Sequence, residues 1–181
     1  PPASYRPDYS LSEVIATLPP WSTTSVFEDR AMLKIKSTSQ AGLKAAYQEV
    51  FLKEWEKRKP GLRERFCIES WRALATNGIN EKEVSTDFSQ AGKGGLRIVF
   101  SGHSDNARSS NIRVGAEPKT GPDTTRPDAR EDFKDIAFLW MRGSGTEPVL
   151  RIMADIDGGE AQDEAYLLDW QTQMVREADN G

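Results

Sequence analysis

Residues 142–148 read Arg-Gly-Ser-Gly-Thr-Glu-Pro and separate two apolar runs, Leu139–Met141 and Val149–Met153. An arginine, two hydroxyls and two glycines in five positions suit an anion. The guanidinium is a planar fork of donors that matches two phosphate oxygens, and the Ser144 and Thr146 hydroxyls can donate to others. Gly143 and Gly145 permit positive φ and close backbone approach, so that successive N–H groups could converge into a nest for a dianion. The alternative for the same residues is a tight hairpin rich in small side chains, with Arg142 in a surface ion pair worth little.

Pro148 lacks an N–H and biases Glu147 toward extended backbone, so the loop is expected to lead into a strand. A Walker loop instead opens a helix. Ala91–Gly95, "AGKGG", lacks the Walker spacing and reads as a hairpin turn. Arg151 follows the loop on the next apolar run. If Leu150 and Ile152 face a core, Arg151 faces away, where it either supports the loop electrostatically or coats the sheet. Glu147 and Arg151 are the candidate supporting residues.

The elements that must position this loop follow from periodicity. Leu11, Val14, Ile15 and Leu18 predict a short helix ended by Pro19-Pro20, with a polar connector after it. Met32, Lys34 and Lys36 alternate with Leu33 and Ile35, as in a half-buried strand. Leu43, Tyr47, Val50 and Phe51 predict a long helix from Gln40 to Lys59, stopped by Pro60-Gly61. Phe66–Leu74 and Leu96–Phe100 read as strands, with a turn at Asn77-Gly78.

Ile136–Met141 is continuously apolar, as expected of a central strand covered on both faces. Val149–Ile156 alternates, and Asp157-Gly158-Gly159 turns the chain into a last helix, Glu160–Ala178. Leu167, Trp170 and Met174 share one side of it, and Glu160, Asp163 and Glu164 suit its first turn. Gly102–Asp132 holds hardly any large apolar side chain and is expected to be a mobile insertion. The order strand, helix, strands, helix describes an α+β layer, with helices on one face of a mainly antiparallel sheet.

Composition narrows the function classes. A net charge of −4 over 181 residues argues against general nucleic-acid binding, which runs on an excess of Lys and Arg. No run approaches the ~18 apolar residues of a membrane helix. A single cysteine excludes an internal disulfide and fits a reducing, cytoplasmic setting. With one cysteine, Cys67, and one histidine, His103, a Cys-His dyad or zinc site has little to build on. Cys67 is expected to be a buried small hydrophobe and His103 solvated. Lys53–Arg65 reads as a solvated helix end, and Asp155–Gly158 as a strand-ending turn without calcium-loop spacing. The start at Pro1-Pro2-Ala3-Ser4, without a methionine or a leader, leads us to expect a piece of a longer protein.

Arg142–Asp155, "RGSGTEPVLRIMAD", closely resembles the carboxy-terminal signature of the α-D-phosphohexomutases. That family comprises phosphoglucomutase, phosphomannomutase and phosphoglucosamine mutase, and Arg-x-Ser-Gly-Thr-Glu-Pro is its phosphate-binding loop. "GGLRIVF", Gly94–Phe100, and "LSEVIATLPPW", Leu11–Trp21, look like the flanking segments of the family. The resemblance implies that residues 1–29 end a preceding domain and linker. Residues 30–181 would be the fourth domain, of TATA-binding-protein-like α+β fold, with the insertion at about 102–132.

In such enzymes phosphate moves between the 1 and 6 positions of a hexose phosphate through a bisphosphate. The resemblance assigns the phosphoserine and the magnesium-binding aspartates to other domains, and an activating sugar bisphosphate to the full-length enzyme. This chain would grip the non-reacting phosphate, through the Arg142, Ser144 and Thr146 side chains and the Gly143 and Gly145 N–H groups. It would bind no metal or cofactor itself and be inactive alone. Its partners would be a phosphosugar and the other three domains, with no nucleic acid and no membrane.

Gly143 departs from relatives that carry Pro or Ala there, and the insertion lengthens a connection usually short. Ser101-Gly102-His103 matches the tail of the family's sugar loop by coincidence, because Val99-Phe100 stand where Gly-Glu should precede it. The competing expectation is a noncatalytic anion-binding or protein-interaction module with the same fold.

Overall fold

The apolar stripe Leu43, Tyr47, Val50 and Phe51 is buried along helix α1, Gln40–Phe66. This computed structural model describes residues 10, 12, 21–103 and 133–181; the short helix expected over 11–18 and nearly all of the expected insertion lie outside them. Ser39 caps α1 by accepting the Gly42 N–H at 3.1 Å.

The helix does not stop at Pro60 as expected. It runs on to Phe66 because Leu62 and Phe66 are both buried in the core, and that packing outweighs the one backbone hydrogen bond that proline removes. Cys67 ends it in the left-handed conformation, φ 58°, and its N–H donates to the Arg63 carbonyl at 2.9 Å. Cys67 is therefore a half-buried helix cap rather than a buried hydrophobe.

Seven strands follow from the alternating and apolar runs: β1 (Trp21–Thr23), β2 (Met32–Lys34), β3 (Ile68–Asn77), β4 (Asn80–Glu83), β5 (Gly95–His103), β6 (Phe133–Gly143) and β7 (Val149–Asp157). They form one sheet in the order β1-β7-β6-β5-β3-β4, with β2 also on the outer edge of β7, and every described pairing is antiparallel. The sheet thus begins ahead of residue 30, and β5 takes in Gly102 and His103.

Asn77-Gly78 makes the β3–β4 hairpin, with Gly78 at φ 61°. Ala91–Gly95 is not a hairpin turn, because β5 pairs with β3 and not with β4. It closes a crossover that passes through a 3-10 turn at Phe88–Ala91.

Leu96, Ile98 and Phe100 of β5 lie beside Met141, Leu139 and Ala137 of β6, and these beside Ile152, Ala154 and Ile156 of β7. All are buried, and together with α1 and helix α2 (Ala161–Asn180) they form one core. Both helices of the described residues pack on that face. Phe138 and Trp140 alternate onto the opposite face and stay half-buried.

Polar contacts fix the helices and the outer edge. Arg65 of α1 reaches Asp163 of α2 at 2.8 Å, and the Arg58 guanidinium lies over the Trp170 ring, 5.7 Å from its centroid. The basic end of α1 is thus partly spent on α2. Glu164, 3% exposed, accepts from the Thr24 hydroxyl and from Arg30 at 2.8 Å, which ties the β1–β2 connection to α2. No helix among the described residues is long and apolar enough to cross a membrane.

Candidate functional site

The pairing of β6 with β7 sets Arg142 opposite Arg151 and Gly143 opposite Leu150, leaving residues 144–148 as the turn. The Ser144 N–H donates to the Val149 carbonyl and the Val149 N–H to the Glu147 carbonyl, each at 2.8 Å. These bonds close the turn. The Ser144 and Thr146 hydroxyl oxygens come within 3.4 Å, and the Thr146 N–H points at the Ser144 hydroxyl, also at 3.4 Å. Gly145 to Pro148 are exposed, and among the described residues the Gly145 and Glu147 N–H groups donate to no protein acceptor. Two hydroxyls and two free amides therefore collect at one rim of the sheet.

The glycines act differently from expectation. Neither Gly143 nor Gly145 takes a positive φ, so the alternating backbone of a nest is not formed. A Cβ at Gly143 would overlap the side-chain amide of Gln40, the first residue of α1, whereas one at Gly145 would meet open space. Gly143 thus lets the turn seat against the N-terminus of a 27-residue helix. The positive end of that helix dipole adds to the field at the turn.

Arg142 is exposed, and among the described residues no carboxylate lies within ion-pair reach of it. The ion-paired hairpin expected as the alternative therefore lacks its acid. Arg151 turns elsewhere: its guanidinium donates to the Val26 carbonyl at 2.6 Å and holds the β1–β2 connection. Glu147 is exposed and its side chain meets no described partner. The Pro148 carbonyl accepts the Ile35 N–H at 3.1 Å, which fastens the far end of the turn beyond β2.

Sequence reasoning missed Lys44. It lies on the stripe of Tyr47 and Phe51, is fully buried, and donates to the Gly92 and Gly94 carbonyls at 2.7 and 2.6 Å. No described carboxylate pairs with it. Burial first, and the Arg142 charge second, hold its pKa down at about 8. A lysine at core-facing spacing was the available signal.

Lys44 fastens the loop that carries Lys93. A Cβ at Gly94 would come 2.7 Å from the Thr76 carbonyl, so that loop lies hard against β3. Beside it an open cleft of about 420 Å³ has Thr76, Asn77, Lys82, Gln90, Lys93 and Arg142 in its walls.

Among the other candidates, Ser101-Gly102-His103 has structural uses. The Ser101 hydroxyl donates to Asp135 at 2.8 Å, and Gly102 lies where a Cβ would overlap the Cys67 carbonyl. His103 sits 3.6 Å from Glu69. Among the described residues no group of three His, Cys, Asp or Glu side chains could hold a metal. No family model, no curated protein and no solved structure matches this chain.

Proposed function

We propose that the β6–β7 turn grips the phosphate of a phosphosugar. The chain would then be the carboxy-terminal domain of a phosphohexomutase, closing a cleft formed by domains outside this sequence. The observation that carries the reading is an arginine without an acidic partner among the described residues, beside two converging hydroxyls, in a turn whose residues resemble the family's phosphate loop. The antiparallel sheet with helices on one face is compatible with the TATA-binding-protein-like fold of that domain. A cytoplasmic setting and contact with three other domains belong to the same proposal.

In this reading the residues position and do not make bonds. Arg142 presents two parallel N–H donors to a phosphate, Ser144 and Thr146 add hydroxyls, and Gly145 and Glu147 add backbone N–H groups. By the same resemblance magnesium would belong to another domain, and no step here runs through it. Charge-assisted hydrogen bonds contribute ~1.5–3 kcal/mol each, offset by dianion desolvation and association entropy. The isolated chain should therefore bind a hexose phosphate with millimolar affinity, about −4 kcal/mol, or more weakly.

The test is a two-dimensional amide NMR titration of the 181-residue chain with a hexose monophosphate, with the unphosphorylated sugar, and with Arg142→Ala. Saturable shifts at Gly143–Thr146 that need both the phosphate and Arg142 are expected. A silent turn at tens of millimolar ligand would overturn the assignment.

A further inference from the structure

The β3–β4 hairpin and the Gly92–Gly94 loop wall an open cleft that also takes in Arg142. Lys82 and Lys93 are exposed in those walls, and among the described residues neither forms an ion pair with a carboxylate. Lys82 donates to the Gln90 side-chain carbonyl at 3.1 Å. The one acid among the described lining residues, Glu81, is engaged by Arg97 at 2.6 Å. Behind the loop, the Lys44 ammonium donates to the Gly92 and Gly94 carbonyls and fixes the backbone on either side of Lys93. A chain of net charge −4 thus presents three exposed cations along one cleft. Asn77, Asn80 and Gln90 add side-chain amides to the same walls, which donate and accept as a peptide backbone requires. The turn that joins Asn77 to Asn80 carries Ile79, 98% exposed. A single exposed apolar side chain is ordinary on a protein surface. This one stands at the rim of a cationic cleft, where a small anion has no use for it and a polypeptide does.

We propose that this cleft docks an acidic segment of a partner protein, with carboxylates on Lys82, Lys93 and Arg142 and one apolar side chain against Ile79. The local field of the cleft attracts what the net charge of the chain repels, and that confines such a segment to this corner. Each exposed pair contributes little, so the binding is weak and falls with added salt. Arg142 also belongs to the β6–β7 turn, and the docked segment and a phosphate held at the turn therefore exclude one another. The docking stands apart from the phosphate reading of the turn; the exclusion rests on it.

The probe is a short synthetic peptide in which glutamates flank one leucine, titrated against the full chain by amide NMR beside a second peptide with glycine in place of the leucine. The leucine peptide should bind more tightly and shift the Ile79, Lys82, Lys93 and Gly94 amides saturably. Lys82→Gln/Lys93→Gln should weaken it about tenfold. Ile79→Ser should remove the advantage of leucine over glycine. A control, Lys53→Gln/Lys57→Gln, removes equal charge from the exposed face of α1 and should change nothing. Equal losses in both double variants, or equal affinities for the two peptides, would overturn the docking. Inorganic phosphate that shifts the same cleft amides at the peptide's concentration would make the cleft a small-anion site and overturn it as well.

Glucose 6-phosphate added to the peptide complex should weaken the peptide, and glucose should not. A sugar phosphate that shifts Gly143–Thr146 and leaves the peptide's affinity unchanged would overturn the exclusion through Arg142. A turn that stays silent while the peptide still binds the cleft would overturn the phosphate reading and the exclusion together, and support the docking.

Discussion

Lys44 of α1 and Arg142 of β6 bring two like charges into one corner of the fold, and the Arg142 charge adds to burial in holding the Lys44 pKa down at about 8. Among the described residues neither forms an ion pair with a carboxylate. Such a pair costs stability in the free protein, and that cost falls when an anion arrives.

The first consequence is a stability profile. The unfolded chain holds the Lys44 proton up to its ordinary pKa of about 10.4, whereas the folded chain releases it near 8. Between those values the unfolded state binds more protons, so this group makes stability rise with pH; below pH 8 its penalty is constant and full. Compared with Lys44→Met, the wild type should gain about 2 kcal/mol between pH 7.5 and 10. Urea midpoints of both proteins at the two pH values check this, and a constant difference would refute it.

Arg142→Ala should act on Lys44 at a distance. Removing the like charge should raise the Lys44 pKa, measurable from the titration of its side-chain carbons by NMR. Saturating phosphate on the wild type should move it the same way, because a dianion at Arg142 favours the charged lysine.

Gly102→Ala is expected to destabilise the protein by about 3 kcal/mol, because the new methyl would collide with the Cys67 backbone carbonyl and not with a movable side chain. A drop in thermal midpoint of less than two degrees would show that the α1 C-terminus can shift away.

Cys67→Gly should go the other way and stabilise by about 1 kcal/mol, since φ is 58° there and glycine occupies that region without a Cβ penalty. Thermal melts under reducing conditions suffice to check it.

Pro60→Ala should also stabilise, by about 1–3 kcal/mol, because the residue is exposed and lies inside a helix that continues to Phe66. Unchanged stability would mean that the helix already bends to absorb the proline.

Much of the architecture is legible in local pattern. The spacing of Leu43, Tyr47 and Phe51 and the alternation of Val149–Ile156 each specify an element, because backbone geometry alone sets periods of 3.6 and 2. The turn from Arg142 to Thr146 is legible for the same reason: its donors are neighbours in the chain.

Three readings failed where a distant contact decided. Pro60 does not end α1, because Leu62 and Phe66 find the core. Ala91–Gly95 is not a hairpin turn, because β5 passes β4 to pair with β3. Gly143 does not serve a positive φ but makes room for Gln40.

What the sequence determined by itself is therefore the set of elements and the chemistry held in one short turn. The tertiary structure alone decided that Arg142 has no acidic partner among the described residues, that Lys44 lies buried beside it, and that Lys82 and Lys93 share its cleft. Those relationships join residues far apart in the chain, and strand order and register, which no local period encodes, set them side by side.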